Sequence, residues 1–229
     1  MFSSGIVLGI DAAGDVPCFS IARGNKILFV QKIVERHKTA AELISMLLIS
    51  LDEIGIFPKE ISRLCVTTGP GSFTGIRIAL ATVIGLNLGL GIPVASISTF
   101  NLWKWVFERK IKKVSCFDII IVVLNSGGKD IYYAIFKPFK DKAYEVGMWS
   151  EDVLYSKISG FNTPCILGNV QRFSKEFIGK KKFFSYFNLM NPESIALWGS
   201  NLKTEDFYYY SLLPLEPFYL KIPEVLLKY

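Results

Sequence analysis

From Ile78 to Trp103 not one residue carries a charge. A stretch that long and that apolar must be withdrawn from water, into either a bilayer or a protein core. Gly85, Asn87, Gly89, Gly91 and Pro93 interrupt it, and its pattern changes at Gly91-Ile92-Pro93. Ile76 to Leu90 reads as a helix, and Val94 to Ser98 as a short strand. A buried helix feeding a buried strand accounts for that break, which a membrane anchor does not.

The rest of the chain is consistent with a core. Its 229 residues are 51% apolar and 14% aromatic. That length allows one ordinary domain or two lobes of about 100 residues each. The composition excludes a disordered chain. Lys and Arg number 26 against 20 Asp and Glu, a net charge of +6 spread along the sequence. Such a balance permits an acidic partner or nucleic acid without identifying one. Cys18, Cys65, Cys116 and Cys165 form no C-x-x-C pair. With no signal peptide at Met1, they read as buried thiols in a reducing cytoplasm, and a single histidine adds no zinc-ligand spacing.

Ile6 to Asp11, Phe19 to Arg23 and Lys26 to Val34 read as three antiparallel strands, the last two joined by the turn Gly24-Asn25. His37 to Ile54 repeats apolar residues at three and four and is expected to be an amphipathic helix stopped by Gly55. Ile61 to Thr67 is a strand. A meander followed by alternating helices and strands implies a mixed sheet covered by helices. A second unit is expected from residue 101 to 229, after a first lobe of 1–100. It would hold a basic, aromatic helix (Asn101 to Lys113) and strands at Ile119 to Leu124 and Ile131 to Lys137. Glu145 to Met148, Cys165 to Leu167 and Phe183 to Phe187 are weaker strand candidates. Pro192 to Ser200 reads as a short helix capped by Asn191. The proline-bearing tail reads as an extended arm, free to return to the first lobe.

The strongest chemical signal is Thr67-Thr68-Gly69-Pro70-Gly71-Ser72-Phe73-Thr74-Gly75-Ile76-Arg77, between a strand and a helix. Gly69, Gly71 and Gly75 would let backbone approach a phosphate, with Ser72 or Thr74 capping the helix. From spacing alone a tight packing turn is the better reading of the same glycines, and the spacing is not that of a Walker loop. Asp11, before Ala12-Ala13-Gly14, could hold hydrated magnesium at a phosphate or merely cap its turn. His37 has no serine or cysteine partner that would make a triad. Lys104, Arg109, Lys110, Lys112 and Lys113, interleaved with Trp103, Trp105 and Phe107, could contact RNA or form a solvated helix face with its aromatics in the core. Lys180 to Lys182 reads as a turn.

The segment Val66 to Ile78, continuing through Leu80-Ala81, Gly85-Leu86, Gly91-Ile92-Pro93-Val94 and Ser98-Thr99, resembles the TsaB (YeaZ) family. Ile10-Asp11, the helix starting at His37, Gly168-Asn169 and Pro217-Phe218-Tyr219-Leu220-Lys221 follow in the same order. The likeness is dense over residues 6 to 100 and patchy beyond. It implies an α/β protein with two lobes of the actin, hexokinase and Hsp70 ATPase type, the second reduced. It also implies a cytoplasmic role in making threonylcarbamoyladenosine in tRNAs that read codons beginning with A. There the TsaB-like protein is the non-catalytic companion of a larger paralogue, TsaD, which transfers the threonylcarbamoyl group. A homodimer when alone, and a TsaE-type ATPase joining the complex, are implied as well.

On that resemblance His37, Leu43, Leu47, Arg77, Leu80 and Ile84 are the expected partner interface. Asp11, Gly69, Gly71, Ser72 and Gly75 are the candidate phosphate or nucleotide site; no cofactor is expected of the chain by itself, and ATP or ADP with magnesium is admitted only within the complex. Contact with tRNA is expected to be indirect or weak, with no intrinsic metal and no membrane. The paralogue's H-x-x-x-H metal pair cannot be built from one histidine. The family's Thr-Ser after the first Asp is replaced here by Ala12-Ala13, and its Asp-Ala-Arg opening of the second lobe by Asn125-Ser126-Gly127. The alternatives are a small ATPase or phosphotransferase using Asp11 and Gly69–Gly75, and a direct tRNA-binding module using residues 104–113.

Overall fold

Short apolar runs separated by turn residues give the chain its strands, and three-and-four spacing gives its helices. The computed structural model describes residues 5–14, 16–33, 40–169, 184–187, 189–208 and 215–220. In chain order these form β1 (Ile6–Asp11), β2 (Cys18–Arg23), β3 (Lys26–Lys32), α1 (Ala40–Glu53), β4 (Ile61–Thr67), α2 (Phe73–Leu90) and β5 (Val94–Ile97). There follow α3 (Thr99–Lys110), β6 (Ile119–Asn125), β7 (Ile131–Phe136), β8 (Glu145–Trp149), α4 (Glu151–Ile158), β9 (Pro164–Gly168), β10 (Phe184–Phe187) and α5 (Ser194–Ser200). The chain divides into two units, Met1–Thr99 with Asn191–Phe218, and Phe100–Met190 with Tyr219–Tyr229.

In the first unit the sheet order is β3-β2-β1-β4-β5. β1, β2 and β3 form the antiparallel meander, and Gly24 (φ +58) supplies the left-handed residue of its turn. β4 lies parallel to β1, and β5 parallel to β4. α2 is the crossover between β4 and β5. It begins at Phe73, three residues before the sequence pattern suggests, because Ser72 caps it and accepts the Gly75 N–H at 3.2 Å. Gly91, in the left-handed conformation, ends it with its N–H on Asn87 O.

Among the described residues α2 alone is long and apolar enough to cross a membrane. Yet Ile76, Ala79, Leu80, Val83 and Asn87 are buried within the unit, and the Asn87 amide donates to Ile92 O at 2.7 Å. Those are the properties of a core helix in a parallel crossover. α1 packs on α2 and buries Leu43, Leu47 and Leu51, each contributing about 2–3 kcal/mol relative to exposure.

α5 covers β1, β2 and β4. Contact there is close on both sides. A Cβ on Gly9 would lie 2.6 Å from Ala196 N, and one on Gly199 only 2.1 Å from Cys65 Sγ. The segment after α5 is clasped to the same unit. Arg63 donates to Thr204 Oγ1 at 2.9 Å and lies over the Phe207 ring, while Tyr208 exchanges two backbone hydrogen bonds with Val94. Residues Asn191–Phe218 therefore group with the first unit, which makes the second shorter than 101–229.

The second unit has the order β10-β9-β6-β7-β8. β6 pairs antiparallel with β7, and β7 with β8; β9 is parallel to β6, and β10 to β9. Its first strand is thus central, with a hairpin pair on one side and two parallel strands on the other, as in the first unit. Ile119, Ile121, Val123, Ile131, Tyr133, Ile135 and Ile166 pack under Leu154 and Ile158 of α4. Sequence patterning missed α4, although Glu151 and Asp152 in its first turn and Leu154 and Ile158 one turn apart mark it.

Other boundaries shift for local reasons. β5 stops at Ile97 and α3 runs Thr99–Lys110. α5 starts at Ser194 after Glu193, since Asn191 turns back and its N–H reaches Ser194 Oγ instead of capping the helix. α1 is described only from Ala40, and His37, Val34 and Lys180 to Lys182 lie outside the described residues. Cys18, Cys65 and Cys165 are buried, but Cys116 is exposed in the turn after α3, its thiol directed to Lys113 O.

Candidate functional site

The glycine-rich connection between β4 and α2 closes onto the turn that follows β1. Ser72 N–H donates to Ala13 O at 2.8 Å. A Cβ on Gly71 would lie 2.0 Å from Ala13 O, and one on Gly75 2.0 Å from Ala12 O. The backbone of residues 12 and 13 thus occupies the space that these two glycines leave open. Gly69 (φ +105) accepts the Thr99 N–H, and a Cβ there would meet Ile76 Cδ1 and Phe218 O. Phe218 N–H in turn donates to Thr68 O at 2.8 Å, so the late Pro217-Phe218 segment completes the loop's surroundings.

Asp11 ends β1 beside this loop. Its Oδ1 accepts Thr67 Oγ1–H at 2.7 Å and Ala13 N–H at 3.1 Å. Burial pushes its carboxyl above the ordinary aspartate value, and those two hydrogen bonds offset part of that. Asp11, Gly69, Gly71, Ser72 and Gly75 are therefore brought together. Thr67 and Phe218 belong with them; the sequence marks Thr67 at the head of the glycine-rich string and Phe218 in the late Pro217–Lys221 segment, but not their contacts with Asp11 and Thr68, which depend on strand register and on the return of the tail.

In the second unit the position corresponding to Asp11, at the end of the first strand, is the neutral Asn125. Its N–H donates to Asn169 Oδ1 at 3.0 Å, and its own Oδ1 accepts Gly127 N–H. A Cβ on Gly168 would fall 1.8 Å from Val123 O, so the Gly168-Asn169 pair serves close strand packing. Among the described residues no group of three His, Cys, Asp or Glu could hold a metal ion. A resident magnesium nucleotide does not fit this donor set. The spaces at Gly71 and Gly75 are filled by backbone, the Ser72 N–H is used internally, and among the described residues Asp11 is the one carboxylate in the loop's hydrogen-bond network.

The six expected interface residues separate by burial. Leu43, Leu47 and Leu80 are 3%, 1% and 5% exposed and belong to the core, a correction with a simple cause. The helical periodicity that singled them out is that of the inward stripe. Arg77 is exposed, its guanidinium 3.8 Å from the Phe73 ring centroid, and Ile84 is half-buried. His37 lies outside the described residues. The exposed apolar side chains of the two helices are instead Ile44, Leu48 and Ile49 of α1, and Leu88 and Leu90 of α2. On α3, Trp103, Phe107 and Lys104 are buried, whereas Arg109 and Lys110 are exposed.

Two sheets of one strand order, each with helices against it, define a two-lobed α/β protein of the actin and hexokinase class. Two YeaZ-type structures from Pseudomonas aeruginosa share the fold. One, described as an uncharacterized protein with similarity to peptidase YEAZ, superposes with a TM-score of 0.71 at 16% identity, covering 95% of this chain and all of that one. The polyphosphate/ATP-glucomannokinase of Arthrobacter sp. strain KM follows at 0.54 and 13% identity, over 86% of this chain and 97% of its own. A family model described as TsaD, tRNA N6-adenosine threonylcarbamoyltransferase, matches residues 32–147, just over half of the chain.

Among curated proteins, the tRNA threonylcarbamoyladenosine biosynthesis protein TsaB of Buchnera aphidicola from Acyrthosiphon pisum is 28% identical over 68% of this chain and 67% of its own length. The TsaB from the Baizongia pistaciae strain is 35% identical over 52% and 53%. These matches span between about half and two thirds of the relatives. The chain belongs to this threonylcarbamoyladenosine family, in its TsaB (YeaZ) branch.

Proposed function

We propose that this chain is a cytoplasmic, non-catalytic subunit that binds a TsaD-type threonylcarbamoyltransferase in tRNA threonylcarbamoyladenosine synthesis. It pairs with itself when alone, and a TsaE-type ATPase joins the complex. The carrying observation is the exposed apolar face of α1 and α2. Leu48 and Leu88 are 48% and 64% exposed on helices that pack on one another, and Ala81 and Gly85 keep the surface of α2 low. Apolar side chains left in water on neighbouring helices mark a surface that is buried against a partner.

The non-catalytic part is supported by the packed glycine loop, by Asn125 in the second unit and by the single histidine. A kinase-like reading would need loop N–H groups aimed at a phosphate and a carboxylate in each unit.

The test is a calorimetric titration with the TsaD paralogue from the same organism, followed by sizing of the mixture. A one-to-one complex that replaces the homodimer is expected. Leu48→Asp, Leu88→Asp and Arg77→Glu should each weaken it at least tenfold without unfolding the chain. Leu80→Glu is not a clean probe, because Leu80 is in the core. A folded paralogue that forms no complex would overturn the proposal.

A further inference from the structure

The second unit carries a basic and aromatic surface that the subunit role does not use. Residues 137–144 join β7 to β8 and lie along α3. Asn101 Nδ2 donates to Asp141 O at 3.0 Å, and Phe139 N–H donates to Glu108 Oε1 at 2.9 Å. The second bond holds Phe139 at φ +58, a left-handed conformation that a bulky residue adopts only under constraint. Its side chain is nonetheless 64% exposed, and that of Tyr144 69%. A strained backbone that presents a phenyl ring to water does nothing for the core, so its use lies outside the chain.

The charges at the C-terminal end of α3 and in the β7–β8 connection are one-sided. Glu108 Oε2 accepts the buried Lys104 ammonium at 2.8 Å, so these two cancel beneath the surface. Outside remain Arg109 and Lys110 in the last turn of α3, Lys112 and Lys113 just after it, and Lys137, Lys140 and Lys142 in the loop. All seven are exposed, and Asp141 is the one acid within the two segments 109–113 and 137–142. That surplus equals the +6 of the entire chain, leaving the remainder balanced. Arg109 lies over the Trp105 ring at 4.9 Å, and Lys110 Nζ donates to Leu189 O at 2.8 Å, so two of the cations are anchored near helix α3.

We infer that this surface binds RNA directly, the cations taking backbone phosphates and Phe139 and Tyr144 stacking on unpaired bases. RNA offers repeated phosphates and open base faces together, the combination that interleaved cations and aromatics match. An anionic lipid surface is matched less well, since the rings stand on a strand connection and not on the apolar face of an amphipathic helix. That the RNA is a tRNA rests on the functional reading above; the surface itself does not. The expectation that tRNA contact is indirect or weak is the alternative that the experiment below decides for or against.

The experiment titrates the full-length chain, alone, into a fluorescein-labelled tRNA transcript and reads anisotropy at several salt concentrations between about 50 and 200 mM. Saturable binding is expected, with affinity falling linearly in log–log salt. The variant Lys137→Gln/Lys140→Gln/Lys142→Gln should weaken binding at least tenfold and lower the salt slope by about two to three. Phe139→Gly, which relieves the backbone and so keeps the fold, should weaken binding about tenfold with the slope unchanged.

An unaltered affinity and slope in the triple variant would overturn the inference. So would failure to bind tRNA while phosphatidylserine vesicles are bound in a lysine-dependent way. The triple variant is also titrated with the TsaD paralogue. Retained complex formation separates the two surfaces, and loss of wild-type complex with tRNA binding intact would sink the subunit reading alone.

Discussion

Gly75 and Gly85 lie on the same helix, and alanine at the two positions should act with opposite sign. Nothing lies within 4 Å of a Cβ built on Gly85, which is exposed in mid-helix. Alanine there gains helix propensity, about 0.5–1 kcal/mol, and with it roughly 1–4 °C in Tm for a chain of this size. At Gly75 the added Cβ would sit 2.0 Å from Ala12 O, where ordinary contact begins at 3.4 Å. The obstacle is backbone. It cannot swing away cheaply, because Asp11 holds the Ala13 N–H and Ser72 N–H holds Ala13 O. Overpacking of that kind costs about 1–3 kcal/mol, so the net expectation is a loss of about 2 kcal/mol and a fall of roughly 4–8 °C. Urea and thermal unfolding followed by far-UV circular dichroism, at concentrations where the chain is monomeric, would measure both. If Gly75→Ala is as stable as Gly85→Ala, residues 12 and 13 do not fill the loop. The glycines would then be open to a ligand, and the packing account of the site would be wrong.

Three further outcomes follow from the same structure. Glu108→Gln keeps an acceptor for Phe139 N–H but leaves Lys104, 3% exposed, without its counter-charge, and should cost about 2 kcal/mol by chemical denaturation. The paired change Lys104→Met/Glu108→Leu should recover most of that loss, and equal destabilisation of single and double variants would refute the ion-pair account. Asp11, whose pKa is raised chiefly by burial, keeps its proton in the folded state at pH values where the unfolded chain has lost it. Its contribution therefore favours folding below the ordinary aspartate value of 3.8 and fades as pH rises through the folded value. Asp11→Asn should raise Tm at pH 7 and flatten the pH dependence above that value, and a lower Tm at pH 7 would show that the ionised carboxylate is favoured after all. Phe139→Gly, by removing a left-handed non-glycine residue, should raise stability by about 1 kcal/mol; a loss of stability would mean that the exposed ring packs on the fold.

The sequence alone determined the elements whose cause is local. The uncharged run reads as a buried helix and strand, because Gly91-Ile92-Pro93 breaks helical continuity and the pattern changes period there. The β1–β3 meander was readable from Gly24-Asn25, the crossover from the GPGSFTG string, and the family from that string's order. Tertiary structure decided what periodicity cannot. A three-and-four repeat marks an apolar stripe without saying whether it faces inward or outward, and only the fold shows Leu43, Leu47 and Leu80 in the core and Ile44, Leu48 and Leu88 in water. Glycines in a loop look the same whether they admit a phosphate or a neighbouring carbonyl, and only the approach of Ala12 and Ala13 distinguishes the two. The basic aromatic surface needed α3 and the β7–β8 connection, some thirty residues apart, to be held together by Glu108. Such long-range pairings depend on the folded arrangement of strands and helices, to which a local pattern in the chain is blind.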